Sequence, residues 1–327
     1  TVTVVATDME VEIEASVNLP VRESGSITVP GRKLHDILRS LPNDIEVNLD
    51  QDGDRFIVTA GKSRFELTTL AAAEFPRVVA NESELSLTMS APSLAKALQR
   101  CQFSMAQQDV RYYLNGMLFE VDTQGVLRTV STDGHRLAFA KTDVNISGEN
   151  GARVIVPRKG VLEMAKLVNG EDGEITLRLN SNYIVASTRK ITMVSKLIDG
   201  RFPDYERVIP SDNDRTVVMD TDLLRATLAR AAILANEKYR GVRFEFEPNR
   251  LIVEAQNPER EQAREEMDID YSGESFSIGF NVAYVQEVLQ HVEGGETEWL
   301  MKDENSSGLV RAVGASDYQY VVMPMRL

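Results

Sequence analysis

Three segments of the chain repeat one pattern at nearly equal steps, and this repeat limits the fold more than any other feature. The segments begin at Val29, Val156 and Phe280, and each joins an apolar, strand-like run to the spacing of an amphipathic helix. A second helical pattern at residues 92–103 recurs at 221–232. Shorter landmarks keep the same step: Thr7-Asp8 with Thr132-Asp133, and Phe75-Pro76 with Phe202-Pro203. The 327 residues therefore predict three similar domains.

The segments between these helices are typical of antiparallel strands. Residues 173–197 and 243–256 alternate apolar and polar side chains around Asn-containing turns. Each repeat is then an α+β unit of two helices and a series of strands. Linkers are expected near residues 78–90 and 206–216, which gives domains at 1–82, 87–206 and 211–327. The first copy lacks a partner for the helix at 92–103, which predicts that roughly 40 residues are missing before residue 1.

Composition excludes several classes of protein. The formal net charge of −14 argues against a simple basic nucleic-acid binder, although one face can still be basic. Cys101 is the single cysteine, which excludes an internal disulfide framework and a cysteine-rich zinc site and fits a reducing cytoplasm. The histidines His35, His135 and His291 fall in three different repeats. We find neither a secretory signal nor a membrane-length apolar run, and we predict no metal and no cofactor.

Basic residues recur at matching places in the helices. Arg32 and Lys33 lie in the first turn of one predicted helix, and Arg158 and Lys159 lie at the same place in the next copy. Solvated helix surface would explain any one of them. Their repetition in an acidic chain favours one basic surface that contacts a phosphate backbone without reading bases. The predicted surface also includes basic residues near the other helices, Lys96, Arg100, Arg225 and Arg230.

Residues 107–116, QQDVRYYLNG, combine amide, basic and aromatic side chains. Gln108, Arg111, Tyr112 and Tyr113 could contact phosphate and sugar or stack on a base. The alternative is a strand whose tyrosines are half buried, and this segment alone does not decide between the two.

The segment STDGHRLAF at residues 131–139 resembles a catalytic centre. On a strand, Asp133 and His135 would point to the same face as an acid–base pair. Ser131 and Thr132 are candidate nucleophiles, but no nucleophile-elbow motif surrounds them. Because Thr7-Asp8 occupies the same repeat position without a histidine, a cap of a turn by Asp133 is the competing hypothesis. A structural repeat protein without a DNA role is a third possibility.

Several motifs together resemble one family. QDVRYYLNGMLFE, TDGHRLAF, VPRKG, DGRFPDY, NEKYRGVR and the final YVVMPMRL are similar, in this order and over essentially the whole chain, to the bacterial DNA polymerase sliding clamp. The resemblance implies three clamp domains per chain, with sheets outside and helices lining a central hole. It implies a non-catalytic processivity factor, a head-to-tail homodimer that encircles duplex DNA. The implied partners are the polymerase alpha subunit, the clamp loader, translesion polymerases, mismatch-repair proteins and ligase.

The resemblance also implies site residues. The DNA contacts fall on Arg32, Gln108, Tyr112 and Tyr113. A groove between the second and third domains would bind short linear peptides, and its methionines suit adaptable apolar walls. The groove residues are Leu114, Thr132, Gly134, His135, Arg136, Leu137, Pro203, Arg207, Val208, Tyr239, Asn281, Tyr284, Val321, Val322, Met323, Pro324, Met325, Arg326 and Leu327. An edge strand tucked into its own core is the alternative for the C-terminal segment.

The implied ring interface pairs edge strands of the first and third domains. Phe65 and Leu67 match its apolar contacts on one side, and Ile233 and Leu234 match those on the other. Arg264 stands where an acidic residue is expected, which puts part of the charge pairing in question. The flanking ion pairs would involve Lys33, Arg64, Glu261 and Glu265.

Overall fold

The structure is a computed structural model that describes residues 1–78, 84–148 and 150–326. The described residues fall in two compact units, one within residues 1–81 and 189–194 and the other within 82–188 and 195–327. None of the helices in the described ranges is long and apolar enough to cross a membrane. The boundaries of the three predicted domains stay a prediction.

The described part of the first unit contains three neighbouring strands, a separate three-stranded antiparallel sheet and one α-helix. The hairpin strands β1 and β2 pair along their whole length, and β14 follows β2 in the order of that sheet. Strands β3, β4 and β5 form the other sheet, whose buried Phe56, Val58 and Leu67 pack with Leu34 and Ile37 of α1. The bounds are β1 (Val2–Thr7), β2 (Val11–Val17), α1 (Gly31–Ser40), β3 (Val47–Asp52), β4 (Arg55–Ala60), β5 (Ser63–Thr68) and β14 (Ile191–Lys196).

The second unit contains four helices, which pack in two pairs, α2 with α3 and α4 with α5. Ser90, Asp220 and Asn281 cap α2, α4 and α5 by accepting hydrogen bonds from backbone amides of the first turn. The bounds of the helices are α2 (Ala91–Cys101), α3 (Arg158–Val168), α4 (Thr221–Ala231) and α5 (Val282–Gln290).

Antiparallel sheets cover these helices. In the second unit four strands are neighbours in the order β13-β12-β6-β10, a four-stranded sheet has the order β18-β17-β16-β19, and the largest sheet has the order β11-β7-β8-β9-β22-β21-β20-β15. The bounds are β6 (Leu85–Ser90), β7 (Gly116–Val121), β8 (Val126–Thr132), β9 (Arg136–Asp143), β10 (Asn145–Ser147), β11 (Ala152–Pro157), β12 (Glu174–Leu179), β13 (Tyr183–Ser187), β15 (Arg215–Asp220), β16 (Gly241–Glu247), β17 (Arg250–Gln256), β18 (Gln262–Asp268), β19 (Phe276–Asn281), β20 (Glu296–Met301), β21 (Gly308–Ala312) and β22 (Tyr318–Val322).

The pairing of β9 with β22 makes the eight-stranded sheet continuous. The register runs from Tyr318 opposite Ala140 to Val322 opposite Arg136. These strands are about 180 residues apart in sequence, and the chain runs from β22 directly into its C-terminal segment. The first residues of β9 and the last residues of β22 therefore lie side by side.

The structure confirms the five predicted helices and the predicted hairpin strands. Repeat periodicity succeeds here because helices such as α2 bury one stripe of side chains and strands such as β12 alternate buried residues with more exposed ones. The predicted linker at 78–90 is wrong in its second half, because Leu85–Ser90 form β6 with Leu85, Leu87 and Met89 buried. Residues 79–83 of that linker lie outside the described residues. At the second predicted linker, residues 206–216, the chain passes from the 3-10 turn Tyr205–Arg207 into β15, which begins at Arg215, and its role as a domain boundary stays a prediction.

Candidate peptide groove and DNA contacts

The Asp133–His135 segment is a hydrogen-bonded turn between β8 and β9. Asp133 Oδ1 accepts hydrogen bonds from the backbone amides of His135 at 2.9 Å and Arg136 at 3.1 Å, and its Oδ2 accepts one from Arg136 Nε at 3.2 Å. Thr132 Oγ1 donates to the carbonyl of Arg136 at 2.6 Å. The hypothesis that Asp133 caps a turn is confirmed. The acid–base hypothesis loses its acid, since this carboxylate is occupied by the turn.

The same turn occurs in the first repeat. Asp8 Oδ1 accepts from the amides of Glu10 at 3.1 Å and Val11 at 2.9 Å, and Thr7 Oγ1 donates to the carbonyl of Val11 at 2.9 Å. The third position of the turn has a positive φ in both copies, 74° at Met9 and 88° at Gly134. The Thr-Asp pair is therefore a feature of the fold, and the histidine is particular to the second copy.

Gly134 suits this turn because of its positive φ of 88°. A Cβ built at this position would lie 2.9 Å from Nη1 of Arg111, the end of a long side chain that would have to shift. Nη2 of Arg111 donates to the carbonyl of Asp133 at 3.1 Å, so such a shift would disturb a hydrogen bond of the turn.

An apolar cluster lies under this turn and brings together groove candidates from distant parts of the sequence. Leu114, Leu137 and Val321 are each at most 2% exposed and belong to one packed cluster, against which Val208 also packs. The other buried members are Ala106, Leu118, Val130, Ile155, Phe202 and Tyr205. The structure thus brings sequence-distant candidates together in one apolar cluster, named here the apolar floor, and its role under a peptide groove stays a prediction.

The C-terminal segment crosses this surface outside the β-sheet. The backbone amide of Met323 donates to the carbonyl of His135 at 2.9 Å, and that of Met325 donates to the carbonyl of Gly279 at 2.7 Å. Val322 is fully buried, whereas Met323 is 39% exposed. The alternative of an edge strand is wrong, because β22 lies between β9 and β21 in the sheet and the chain leaves the sheet after Val322. Pro324 and Met325 are half-buried, Arg326 is exposed, and Leu327 lies outside the described residues.

Aromatic and charged side chains form the rim beside the C-terminal segment. The rings of His135 and Tyr284 stack with centroids 5.6 Å apart. Arg136 is buried, its guanidinium lies 4.8 Å from the centre of the Tyr284 ring, and it forms an ion pair with Glu287 of α5. Burial is the main cause that raises the pKa of Tyr284. This rim joins the start of β9 to α5.

The remaining groove candidates lie at the periphery. Asn281 caps α5 and donates to the carbonyl of Tyr239 at 3.4 Å, and the Tyr239 side chain is 56% exposed. Arg207 forms an exposed ion pair with Asp204 at 2.8 Å, and Pro203 is half-buried. Among the described residues, none of these four forms a hydrogen bond or an ion pair with the C-terminal segment.

A positioning network under the groove was missed at the level of sequence. Tyr205, 2% exposed, donates its hydroxyl to Glu120 Oε2 at 2.5 Å, and Arg153 pairs with Glu120 Oε1 at 3.2 Å. Burial is the first cause that raises the pKa of Tyr205, followed by Glu120. The only sequence signal for this network was the opposite charge of Glu120 and Arg153, and their pairing depends on the register of β7 with β11.

The DNA candidates of the second unit lie on a loop and a short 3-10 turn at Tyr112–Leu114, and the strand alternative for residues 107–116 is wrong. Gln108 is exposed with a φ of 56°, and Tyr112 is 56% exposed. Tyr113 is half-buried and packs against the apolar cluster, so it presents less surface than the sequence predicted. In the first unit, Arg32 and Lys33 are exposed in the first turn of α1.

The loop is held by an ion pair with a clear pH signature. Arg111 donates from Nε and Nη2 to the two oxygens of Asp109 at 3.0 and 2.8 Å, and this hydrogen bonding lowers the pKa of Asp109 from 3.8 to about 2. Because the pKa of Asp109 is lower in the folded loop than in the unfolded chain, the ion pair stabilises the folded loop at pH values above the unfolded-state pKa. This stabilisation is lost as the pH falls through about 2.

We therefore expect the Asp109 carboxyl to titrate near pH 2 in a ¹³C NMR titration. In an Arg111→Met variant the midpoint should return toward 3.8, because the donor of the main hydrogen bonds is gone. Asp122, whose pKa is lowered mainly by the backbone amide of Val126, is the control and should not move with that substitution. An unchanged Asp109 midpoint in the variant would contradict the assignment.

Several basic residues assigned to a DNA-facing surface are engaged elsewhere. Arg100 is 5% exposed and pairs with two carboxylates, and Lys96 pairs with Glu293 at 2.9 Å. Arg230 pairs with Glu265 at 2.6 Å, and Arg225 bonds to Asp222 and to the carbonyl of Leu289. The sequence prediction was wrong about Arg100, because helical spacing does not reveal which acidic residues another part of the chain brings to it.

The interface candidates differ in accessibility. Ile233 is 77% exposed and Leu234 is half-buried, whereas Leu67 is 8% exposed and packs in its own core, with Phe65 beside it. Arg64 pairs with Glu66 at 3.0 Å. Glu265 is taken by Arg230, Glu261 accepts from Asn257, Lys33 is exposed, and Arg264 pairs with Glu254 and Glu266. The predicted flanking ion pairs between chains stay a prediction.

No group of three or more His, Cys, Asp or Glu side chains in the described ranges is placed to hold a metal ion. Cys101 is buried, and burial raises the pKa of its thiol to about 12, so it is neither a nucleophile nor a ligand at neutral pH.

Repeated α+β units, basic residues in the first turn of α1 and an apolar surface crossed by the C-terminus define the class of DNA-clamp proteins. The family models for the N-terminal, central and C-terminal domains of the DNA polymerase III beta subunit match residues 1–79, 88–204 and 206–326. The chain belongs to this family, the beta sliding clamps, which are non-catalytic processivity factors.

Relatives and solved structures support the assignment. The chain is 48% identical to the beta sliding clamp of Pseudomonas putida, over 98% of this chain and 88% of the relative. It is 44% identical to that of Escherichia coli K12, over 100% of this chain and 89% of the relative. These shares do not establish the predicted missing N-terminal segment, which stays a prediction.

A crystal structure of the Pseudomonas aeruginosa sliding clamp with ligand matches with a TM-score of 0.97 at 47% identity, over 99% of this chain and 89% of that chain. A structure of the P. aeruginosa clamp bound to griselimycin gives the same TM-score and identity, over 99% and 88% of the two chains.

Proposed function

We propose that two copies of this chain close head to tail into a ring around duplex DNA and tether replication and repair proteins to it through the groove. The observation that carries the proposal is the path of the C-terminal segment. The backbone amides of Met323 and Met325 donate to carbonyls of the central and the C-terminal domain matches, at His135 and Gly279, while Met323 stays 39% exposed. Apolar, adaptable side chains over a buried floor are what a short linear peptide needs to bind.

The proposed partners are proteins that carry such peptides. Griselimycin is bound by a sliding clamp 47% identical to this chain. By the same chemistry, the replicative polymerase alpha subunit, the clamp loader, translesion polymerases, mismatch-repair proteins and ligase would each insert a short segment. A methionine-lined surface can repack around different sequences, which supports one groove for many partners. This role places the protein at the nucleoid in the cytoplasm.

Contact with DNA would be weak and independent of sequence. Arg32, Gln108 and Tyr112 are exposed and can donate hydrogen bonds to phosphate or sugar oxygens, which carry no sequence information. A ring of six domains cannot leave a duplex sideways, so retention would be topological. A tethered polymerase then stays near the primer end at high effective concentration.

We expect protein loaded on nicked circular duplex by a bacterial clamp loader and ATP to remain with the DNA during gel filtration at high salt. Ionic contacts weaken steeply as salt rises, whereas a closed ring is held by topology. Cutting the circle with a restriction enzyme should release the protein. Equal loss from circular and linear DNA at high salt would contradict the ring and indicate ionic binding alone.

A further inference from the structure

We infer that Arg100 is a positioning residue, which fastens the central clamp domain to the C-terminal one and holds the two walls of the groove in register. Nothing in the family models assigns it a role, and the inference rests on the proposed function of the groove. The residue lies in the last turn of α2, within the central domain match of residues 88–204. Its partners all lie within the C-terminal domain match of residues 206–326.

The contacts of Arg100 are dense for a single side chain. Nε and Nη2 each donate to one oxygen of Glu293 at 3.1 Å, and Nη1 donates to Asp317 Oδ2 at 2.7 Å. The guanidinium lies 4.1 Å from the centre of the Tyr318 ring. The planar guanidinium makes two hydrogen bonds to one carboxylate, a third to another carboxylate and a stacking contact with a ring. Lysine lacks this planar geometry.

These partners hold the end of β22 that is opposite to the groove. Asp317 directly precedes β22, and the backbone amide of Glu293 donates to the Tyr318 hydroxyl at 2.9 Å. Along β22 the pairing with β9 runs to Val322 opposite Arg136, after which Met323 enters the groove. Arg100 therefore fixes one end of the strand pair whose other end carries both groove walls.

Charge and burial explain why the tie is rigid. Arg100 is 5% exposed, so its charge depends on the two carboxylates for compensation. Burial, the largest single cause, acts to raise the pKa of Glu293 and Asp317, but hydrogen bonds and charge interactions, mainly with Arg100 and also with Lys96, together outweigh it and lower both pKa values. The side chains of both acids remain 48% exposed. Water can therefore solvate them when the arginine is removed, and an Arg100→Met variant should fold.

The test measures groove binding rather than stability alone. We expect Arg100→Met to weaken the binding of griselimycin about tenfold in isothermal titration calorimetry, a usual size for coupling between separate sites. Arg100→Lys should fall between the variant and the wild type, since it keeps the charge and loses the fork. In hydrogen exchange, the Met323 amide should exchange faster in Arg100→Met, because its bond to the His135 carbonyl depends on the register of β22.

Arg128→Met is the matched control. Arg128 pairs with Asp122 at 2.9 Å within the β7–β8 hairpin of the central domain, so its loss removes an ion pair without touching the junction. Griselimycin affinity and Met323 exchange should stay as in the wild type. If Arg100→Met fails to fold, Glu293→Gln tests the same tie with Asp317 still in place, and a several-fold loss of affinity is expected.

Two outcomes separate this inference from the proposed function. The positioning role would be overturned if Arg100→Met or Glu293→Gln kept the wild-type griselimycin affinity and the wild-type exchange rate of the Met323 amide. The proposed groove would still stand in that case if deletion of residues 323–327 abolished griselimycin binding. If that deletion also has no effect, the groove itself fails. An equal loss in Arg100→Met and Arg128→Met would show a general stability effect and would also overturn the inference.

Discussion

Deletion of residues 323–327 is expected to weaken the binding of griselimycin by about a hundredfold or more, the size of losing a central hot spot. The deleted segment contains Met323, which is 39% exposed and directly follows the buried end of β22. It also contains both amides that bond to the carbonyls of His135 and Gly279. One wall of the proposed groove is removed, and the floor beneath it opens to water. The dissociation constant from isothermal titration calorimetry is the measurement.

The fold should survive this deletion. Strand β22 ends at Val322, and its pairing with β9 does not involve the removed residues. The unfolding transition should therefore shift little, and retention on circular DNA loaded beforehand should be unchanged. Leu49→Ala is a matched control, because it removes an apolar side chain that is 47% exposed in the first unit and should leave affinity unaltered. Affinity within about threefold of wild type after the deletion would reject the groove assignment.

Phe244→Ala is expected to reduce the free energy of unfolding of the C-terminal domain by about 3–5 kcal/mol. The ring is fully buried and is surrounded by aromatic rings, with centroids 6.2 Å from Phe246, 5.4 Å from Phe280 and 5.7 Å from Trp299. Rigid rings cannot collapse into the space left by another ring, so a cavity remains and its full cost is felt. Urea denaturation followed by tryptophan fluorescence reports this directly, because Trp299 is the only tryptophan.

Phe276→Ala serves as the comparison for this prediction. Phe276 stacks on Phe246 at 4.9 Å but is only half-buried, so the solvent can fill part of the space and the loss should be clearly smaller. Because β19 carries Asn281 and leads into α5, the Phe244 variant should also weaken peptide binding. A loss below about 1 kcal/mol for Phe244→Ala would show that this core repacks and would contradict the prediction.

Part of the candidate site could be predicted from short stretches of the sequence. The turn at Asp133 was predictable because an aspartate two or three residues before an amide reaches it through local bonds alone, and Thr7-Asp8 gave a second example of the same sequence. The apolar floor also followed from the family resemblance, since Leu114, Leu137 and Val321 are buried together as expected. The prediction of a linker at 78–90 was wrong because β6 is short. A short alternating segment gives a weak signal for a strand, and its strand structure depends on pairing with β12.

The sequence by itself determined the repeat, the helices, most hairpins and the turn capped by Asp133, because periodicity and turn capping depend on residues that are close together along the chain. Only the tertiary structure decided which charges are free. Arg32 and Arg100 look alike as helix arginines, yet Arg32 is exposed and Arg100 is buried against Glu293 and Asp317. The partners of Arg100 are about 200 residues away along the chain. Pairing of β9 with β22 brings them within reach, and no local pattern encodes that pairing.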